Sequence, residues 1–150
     1  MDIKLPTINP YSQGLDATGH TIEDLFPDFD PKFVPFGHRV LLQLRRVFAK
    51  TKSGIVLVQE TKDNEAYNIQ VARIMRVGPL AFKRRDNGEE WPEGVWGKPG
   101  DFVKIMRYEG DRWSFDLPDG GEPVQLVLAN DANLLGRYTG NPLDERAYIQ

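Results

Sequence analysis

From residue 39 onward, apolar and polar positions alternate in short runs instead of recurring at helical spacing, which predicts strands. Arg39-Val40-Leu41-Leu42-Gln43-Leu44 is the first, and residues 69–77 the second, running from Ile69 to Val77 and stopping at Gly78-Pro79. Phe102-Val103-Lys104-Ile105-Met106-Arg107 and Val124-Gln125-Leu126-Val127-Leu128 predict two more. Arg112-Trp113-Ser114-Phe115 is expected to fold back as a hairpin on the 102–107 strand. Turn residues punctuate the runs at Pro99-Gly100-Asp101, Glu109-Gly110-Asp111 and Pro118-Asp119-Gly120-Gly121. Short strands, glycine-rich connections and no long helical pattern give an all-β fold, a barrel or sandwich of Greek-key type.

Two segments break this rhythm. Residues 1–34 carry Pro6, Pro10, Pro27 and Pro31 and apolar positions too irregular for a core element, so they read as an extended N-terminal arm. Within the arm, Thr21-Ile22-Glu23-Asp24-Leu25-Phe26 opens like a capping box, and Pro27 limits the helix to little more than one turn. Tyr11, Phe26, Phe29 and Phe33 are many aromatics for a solvated tail and suit an arm lying across a neighbouring subunit. The second segment lies between Pro79 and Pro99, where Asn87-Gly88 signals a type I′ turn in a projecting polar hairpin.

Composition narrows the function classes. The 150 residues have a formal net charge of -3, which argues against a nucleic-acid surface, since tracking phosphates needs clustered Lys and Arg. The basic cluster Lys83-Arg84-Arg85 is followed at once by Asp86, Glu89 and Glu90 and reads as a solvated face. Without cysteine there is no disulfide, thiolate site or cysteine nucleophile, and the cytoplasm is the expected location. No basic start precedes an apolar run, and no stretch approaches the ~18 apolar residues of a membrane span. His20 and His38 are the two histidines, at no metal-ligand spacing, and no hydrolase, Walker or dinucleotide motif is present. The expectation is a chain without catalysis, metal or cofactor.

The remaining feature is Lys50-Thr51-Lys52-Ser53-Gly54-Ile55-Val56-Leu57, where consecutive aliphatics follow a flexible, charged stretch. On pattern alone, an interior strand entered through a glycine is the commoner outcome; an adhesive loop tip is the other.

Taken in order, the strings resemble the GroES family of co-chaperonins. Pro35-Phe36-Gly37-His38-Arg39-Val40-Leu41-Leu42 is similar to the family's opening strand, with His38 in place of the usual acidic residue. Residues 50–57 resemble its mobile loop, Ile74-Met75-Arg76-Val77-Gly78-Pro79 its Val-Gly stop, and Lys98-Pro99-Gly100-Asp101-Phe102-Val103 its Val-Gly-Asp turn. The segment from Val127 to Gly136 resembles the closing stretch, with Ala129-Asn130 replacing acidic residues. The likeness covers about Val34 to Tyr138; the arm, the long insertion and the last residues mark a divergent version of a kind a phage could encode.

The resemblance implies an arm over 1–34, a GroES-like irregular β-barrel over 35–138 and a tail over 139–150. It also implies a heptameric ring capping an ATP-driven GroEL-like chaperonin, first and last strands pairing between neighbours, and the 80–98 hairpin as the dome roof. Gly54, Ile55, Val56 and Leu57 would enter an apolar groove on the chaperonin. The alternative is a phage capsid cement or decoration protein that keeps the fold, sits in the virion and binds the major capsid protein. An enzyme with a GroES-like domain, such as an alcohol dehydrogenase, is set aside for want of a nucleotide-binding domain and cysteine ligands.

Overall fold

The computed structural model describes residues 21–46, 70–118 and 120–142. A single helical turn, α1 (Ile22–Leu25), precedes six strands: β1 (Arg39–Leu44), β2 (Val71–Val77), β3 (Phe102–Ile105), β4 (Asp111–Phe115), β5 (Val124–Asn130) and β6 (Leu134–Arg137). They form one antiparallel sheet in the order β4-β5-β1-β2-β3-β6, so the fold is all-β as its sequence pattern predicts. A 3₁₀ turn, Asp131–Asn133, separates β5 from β6.

One expected pairing differs. β4 lies on β5, with Trp113 opposite Leu126, and not on β3, which sits across the sheet beside β2 and β6. The short 106–110 connection suggests a local hairpin, but Tyr108 and Gly110 both take left-handed backbone (φ 62 and 68) and send the chain elsewhere. A Cβ on Gly110 would strike the Leu128 carbonyl oxygen, which shows how closely this corner passes over β5.

The sheet is buried on both faces. Val40, Leu42 and Leu44 of β1 join Ala72, Ile74, Val103, Ile105, Val127, Ala129 and Leu134 in the inner core. Leu41 and Gln43, which the period of two directs to the opposite face, are also buried. Their cover is the segment 21–33, which crosses the outer face from β3 to β4. Leu25 and Phe26 pack with Val71 and Phe102, Phe26 edge-on to Phe102 at 5.0 Å. Gln43 Nε2 donates to the Pro27 carbonyl (2.9 Å), Arg73 donates to the same carbonyl (3.1 Å) and to Gln43 Oε1 (2.7 Å), and Asp28 pairs with Arg73 at 2.9 Å. Phe29 then stacks on Phe115 (4.8 Å) and Phe33 on Trp113 (5.0 Å). A bulge opposite Leu41/Leu42 lets two consecutive β2 residues engage this side: Met75 packs on the same cluster as Phe29 and Phe33, and Arg76 donates to the Phe33 carbonyl (2.8 Å). Phe26, Phe29 and Phe33 thus have partners inside their own chain.

The 80–98 insertion closes one end of the inner core. Phe82 is buried in left-handed backbone (φ 61), held by its amide donating to Asp131 Oδ2 at 2.9 Å. Trp91 and Trp96 pack on it with ring centroids 5.7 and 6.3 Å away. Beyond them Lys83 bridges Glu90 and the chain turns at 85–88. The turn is not type I′, which needs positive φ at both central residues: Gly88 has φ 74, but Asn87 is outside the left-handed region. Asn87 instead accepts the Glu89 amide on its side-chain oxygen (2.9 Å), and Gly88 N–H closes a wider turn to the Arg84 carbonyl (2.8 Å).

Candidate functional site

Gly54, Ile55, Val56 and Leu57 lie outside the described residues, as does Tyr11 of the arm. What the fold defines is where the chain leaves for 47–69 and where it returns. The two roots stand on adjacent strands, since Leu44 pairs with Ala72.

The return root is held by β3. Gln70 and Ile105 exchange contacts: the Ile105 amide donates to the Gln70 carbonyl (2.8 Å) and Gln70 Nε2 donates to the Ile105 carbonyl (2.9 Å).

The departing root is held differently. The β1 ladder ends at Gln43 on one side and Leu44 on the other. Two residues later, the Arg46 amide donates to the Leu25 carbonyl at 3.0 Å. Its guanidinium donates to the Asp24 carbonyl (3.3 Å) and to the Glu122 carbonyl. Arg46 is 8% exposed, so these carbonyl acceptors stand in for water that its guanidinium donors have lost. The turn it grips is built by its own sequence: Thr21 Oγ1 accepts the Asp24 amide (3.2 Å) and Asp24 Oδ2 accepts the Thr21 amide (3.1 Å), the reciprocal capping box expected from Thr-x-x-Asp.

Two other surfaces flank the barrel. β6 is an edge strand of the sheet, and beside it a cleft of about 560 Å³ is lined by Glu93, Val95, Trp96, Leu135 and Arg137. Val95 and Leu135 are each more than half exposed there. His38 sits just before β1, its backbone carbonyl accepting the Asp131 amide (3.2 Å), a structural placement beside the barrel corner. Among the described residues no group of three or more His, Asp or Glu is arranged to hold a metal ion, and no helix is long and apolar enough to cross a membrane.

Arg46 and the pairing of β6 with β3 are the features here that the residue pattern does not announce. The run Val40-Leu41-Leu42, apolar on both strand faces, was the available signal that something covers the outer face.

Comparison with known proteins agrees with this architecture. The family model described as "Chaperonin 10 Kd subunit" matches residues 32–138. The co-chaperonin GroES of Methylacidiphilum infernorum is 33% identical over 102 residues, 68% of this chain and 91% of that protein. The co-chaperonin GroES of Acetivibrio thermocellus is 34% identical over 97 residues, 65% of this chain and 89% of the relative. The mitochondrial 10 kDa heat shock protein of Oryzias latipes is 29% identical over 107 residues, 71% and 94% of the two chains. The extent of these matches places this chain in the chaperonin 10 kDa family, as a divergent GroES-type co-chaperonin.

Proposed function

We propose that the chain is one subunit of a heptameric lid that caps a GroEL-like chaperonin ring in the cytoplasm, touching it through Gly54, Ile55, Val56 and Leu57. The observation that carries this reading is that the family match spans residues 47–69, the connection between two paired strands. The exposed edge of β6, with Leu135 and Val95 beside it, supports side-by-side association.

The energetics suit a reversible lid. Burying an aliphatic side chain contributes about 1.5–3 kcal/mol, whereas ordering backbone costs about 1–2 kcal/mol per residue, so one tip binds weakly. A ring overcomes this through multivalency: once one tip docks, the others act at high effective concentration. Dissociation then follows a change in the groove on the partner.

Replacing Ile55, Val56 and Leu57 together by Ser tests the reading. ATP-dependent co-sedimentation with a chaperonin should be lost while the oligomer's mass is unchanged; undiminished binding sinks the contact assignment. No observation favours the virion alternative: the aromatic residues Phe26, Phe29 and Phe33 are occupied within the chain, and the relatives described above are co-chaperonins and a heat shock protein.

A further inference from the structure

We infer that the 21–33 strap is a positioning device for the contact segment, acting through Arg46 on the root where the chain enters 47–69. The inference rests on the contact reading above, and it concerns a part of the chain that lies almost wholly before the family match at residue 32.

Three observations carry it. First, residues 45 and 46 are past the end of both β1 ladders, and the Arg46 amide is bonded to Leu25 of the strap. Second, the Arg46 side chain joins pieces that are far apart in sequence, the α1 turn at Asp24 and the β4–β5 connection at Glu122. Third, the α1 turn is itself immobilised, by its capping box at one end and by burial of Leu25 and Phe26 against Val71 and Phe102. The other root has a hold of its own besides the strap's packing on Val71, since Gln70 is bonded to β3.

Fixing the departing root has a direct consequence for binding. A tip carried on a tether loses conformational freedom when it docks, and every residue already ordered before docking is one whose entropy is not lost then. A pinned root also limits the directions the tip samples, which raises its effective concentration at the partner and multiplies around a ring. Releasing Arg46 lengthens the tether and removes that bias.

Arg46→Met keeps the stem and removes the donors; Arg46→Lys keeps charge but can serve fewer carbonyls. Val127→Ala, in the inner core and outside the clusters that the strap joins, serves as a control for lost stability. ATP-dependent chaperonin binding, thermal unfolding and amide exchange at residue 46 are measured on each full-length oligomer. The inference predicts binding weakened about tenfold or more for Arg46→Met, an intermediate loss for Arg46→Lys, faster exchange at residue 46, and wild-type binding by Val127→Ala even where its unfolding temperature falls as far. Wild-type binding by Arg46→Met, or an equal loss in Val127→Ala, overturns it. Should Arg46→Met not fold, Thr21→Val removes the cap and leaves Arg46 in place, and unchanged binding by that variant overturns it equally. The Ile55, Val56 and Leu57 triple variant separates the two ideas: if it binds normally the contact reading falls, and if it fails to bind while Arg46→Met binds, only the strap inference falls.

Discussion

Gly78 stands where two backbone carbonyls leave no room for a side chain. A Cβ there would overlap the Gly37 oxygen and come within 2.9 Å of the Arg39 oxygen, while the Gly78 amide donates to that same Arg39 carbonyl at 2.8 Å. The glycine ending β2 is therefore required by close approach and not by a special φ. Gly78→Ala should destabilise the fold by about 1–3 kcal/mol, as overpacking a rigid site does, read from denaturant unfolding at fixed protein concentration. A loss below a few tenths of a kcal/mol would contradict this crowding. The Val-Gly stop is legible in sequence, but its reason is not, because the carbonyls that crowd Gly78 come from residues 37 and 39. Asn87-Gly88 is a local case: the dipeptide marks the turn, and the Asn87 side chain accepts the Glu89 amide two residues on.

At the scale of elements, the strap is the addition that alters the barrel most, and its polar contacts have a pH signature. The Lys32 amide and then the Arg76 guanidinium, 3.0 Å away, hold the Asp30 carboxyl below its ordinary 3.8. A carboxyl with a lowered folded-state pKa contributes stability that is fully present above 3.8 and lost as pH falls through the lowered value. Asp30→Asn should accordingly be less stable than wild type at about pH 5, with the difference shrinking once pH falls below 3.8 and gone only below the lowered folded-state value; a constant difference across an acid titration of thermal unfolding would refute the charge's role. The effect is small because Asp30 is exposed. The strap also shows where sequence reading reaches its limit. Strands β1, β2 and β5 were legible from alternation, since each places residues of opposite character, or an unbroken apolar run, on its two faces. The one-turn helix was legible from Thr21 and Asp24, a local signal. β6 has only Leu134 buried and so carries almost no pattern. The partner of β4, and the docking of Phe29 and Phe33 on Phe115 and Trp113, depend on contacts between distant residues, which local periodicity does not encode.

For the whole molecule, the lid reading makes a claim about mass: native mass spectrometry of the 17.1 kDa chain should show a heptamer, and a stable trimer or monomer would remove the symmetry match to a chaperonin ring. The proposed contact residues, 54–57, are nominated by resemblance alone, because a short apolar run has the same pattern in a core strand and in an exposed tip. The barrel itself was legible as a class from its strands and turns. The strap has one more consequence, which concerns how the chain is made. Its residues are synthesised before every strand, yet the face that receives them is assembled from β2 and β3 at one end and from β4, near Trp113 and Phe115, at the other. Phe29 meets Phe115 only after most of the chain has left the ribosome. The strap, made before every strand, is thus among the last segments to settle, and until it does a growing chain carries Leu25, Phe26, Phe29 and Phe33 without their final cover. A protein that assists the folding of others would, during its own synthesis, pass through an interval in which it is exposed to the same hazard.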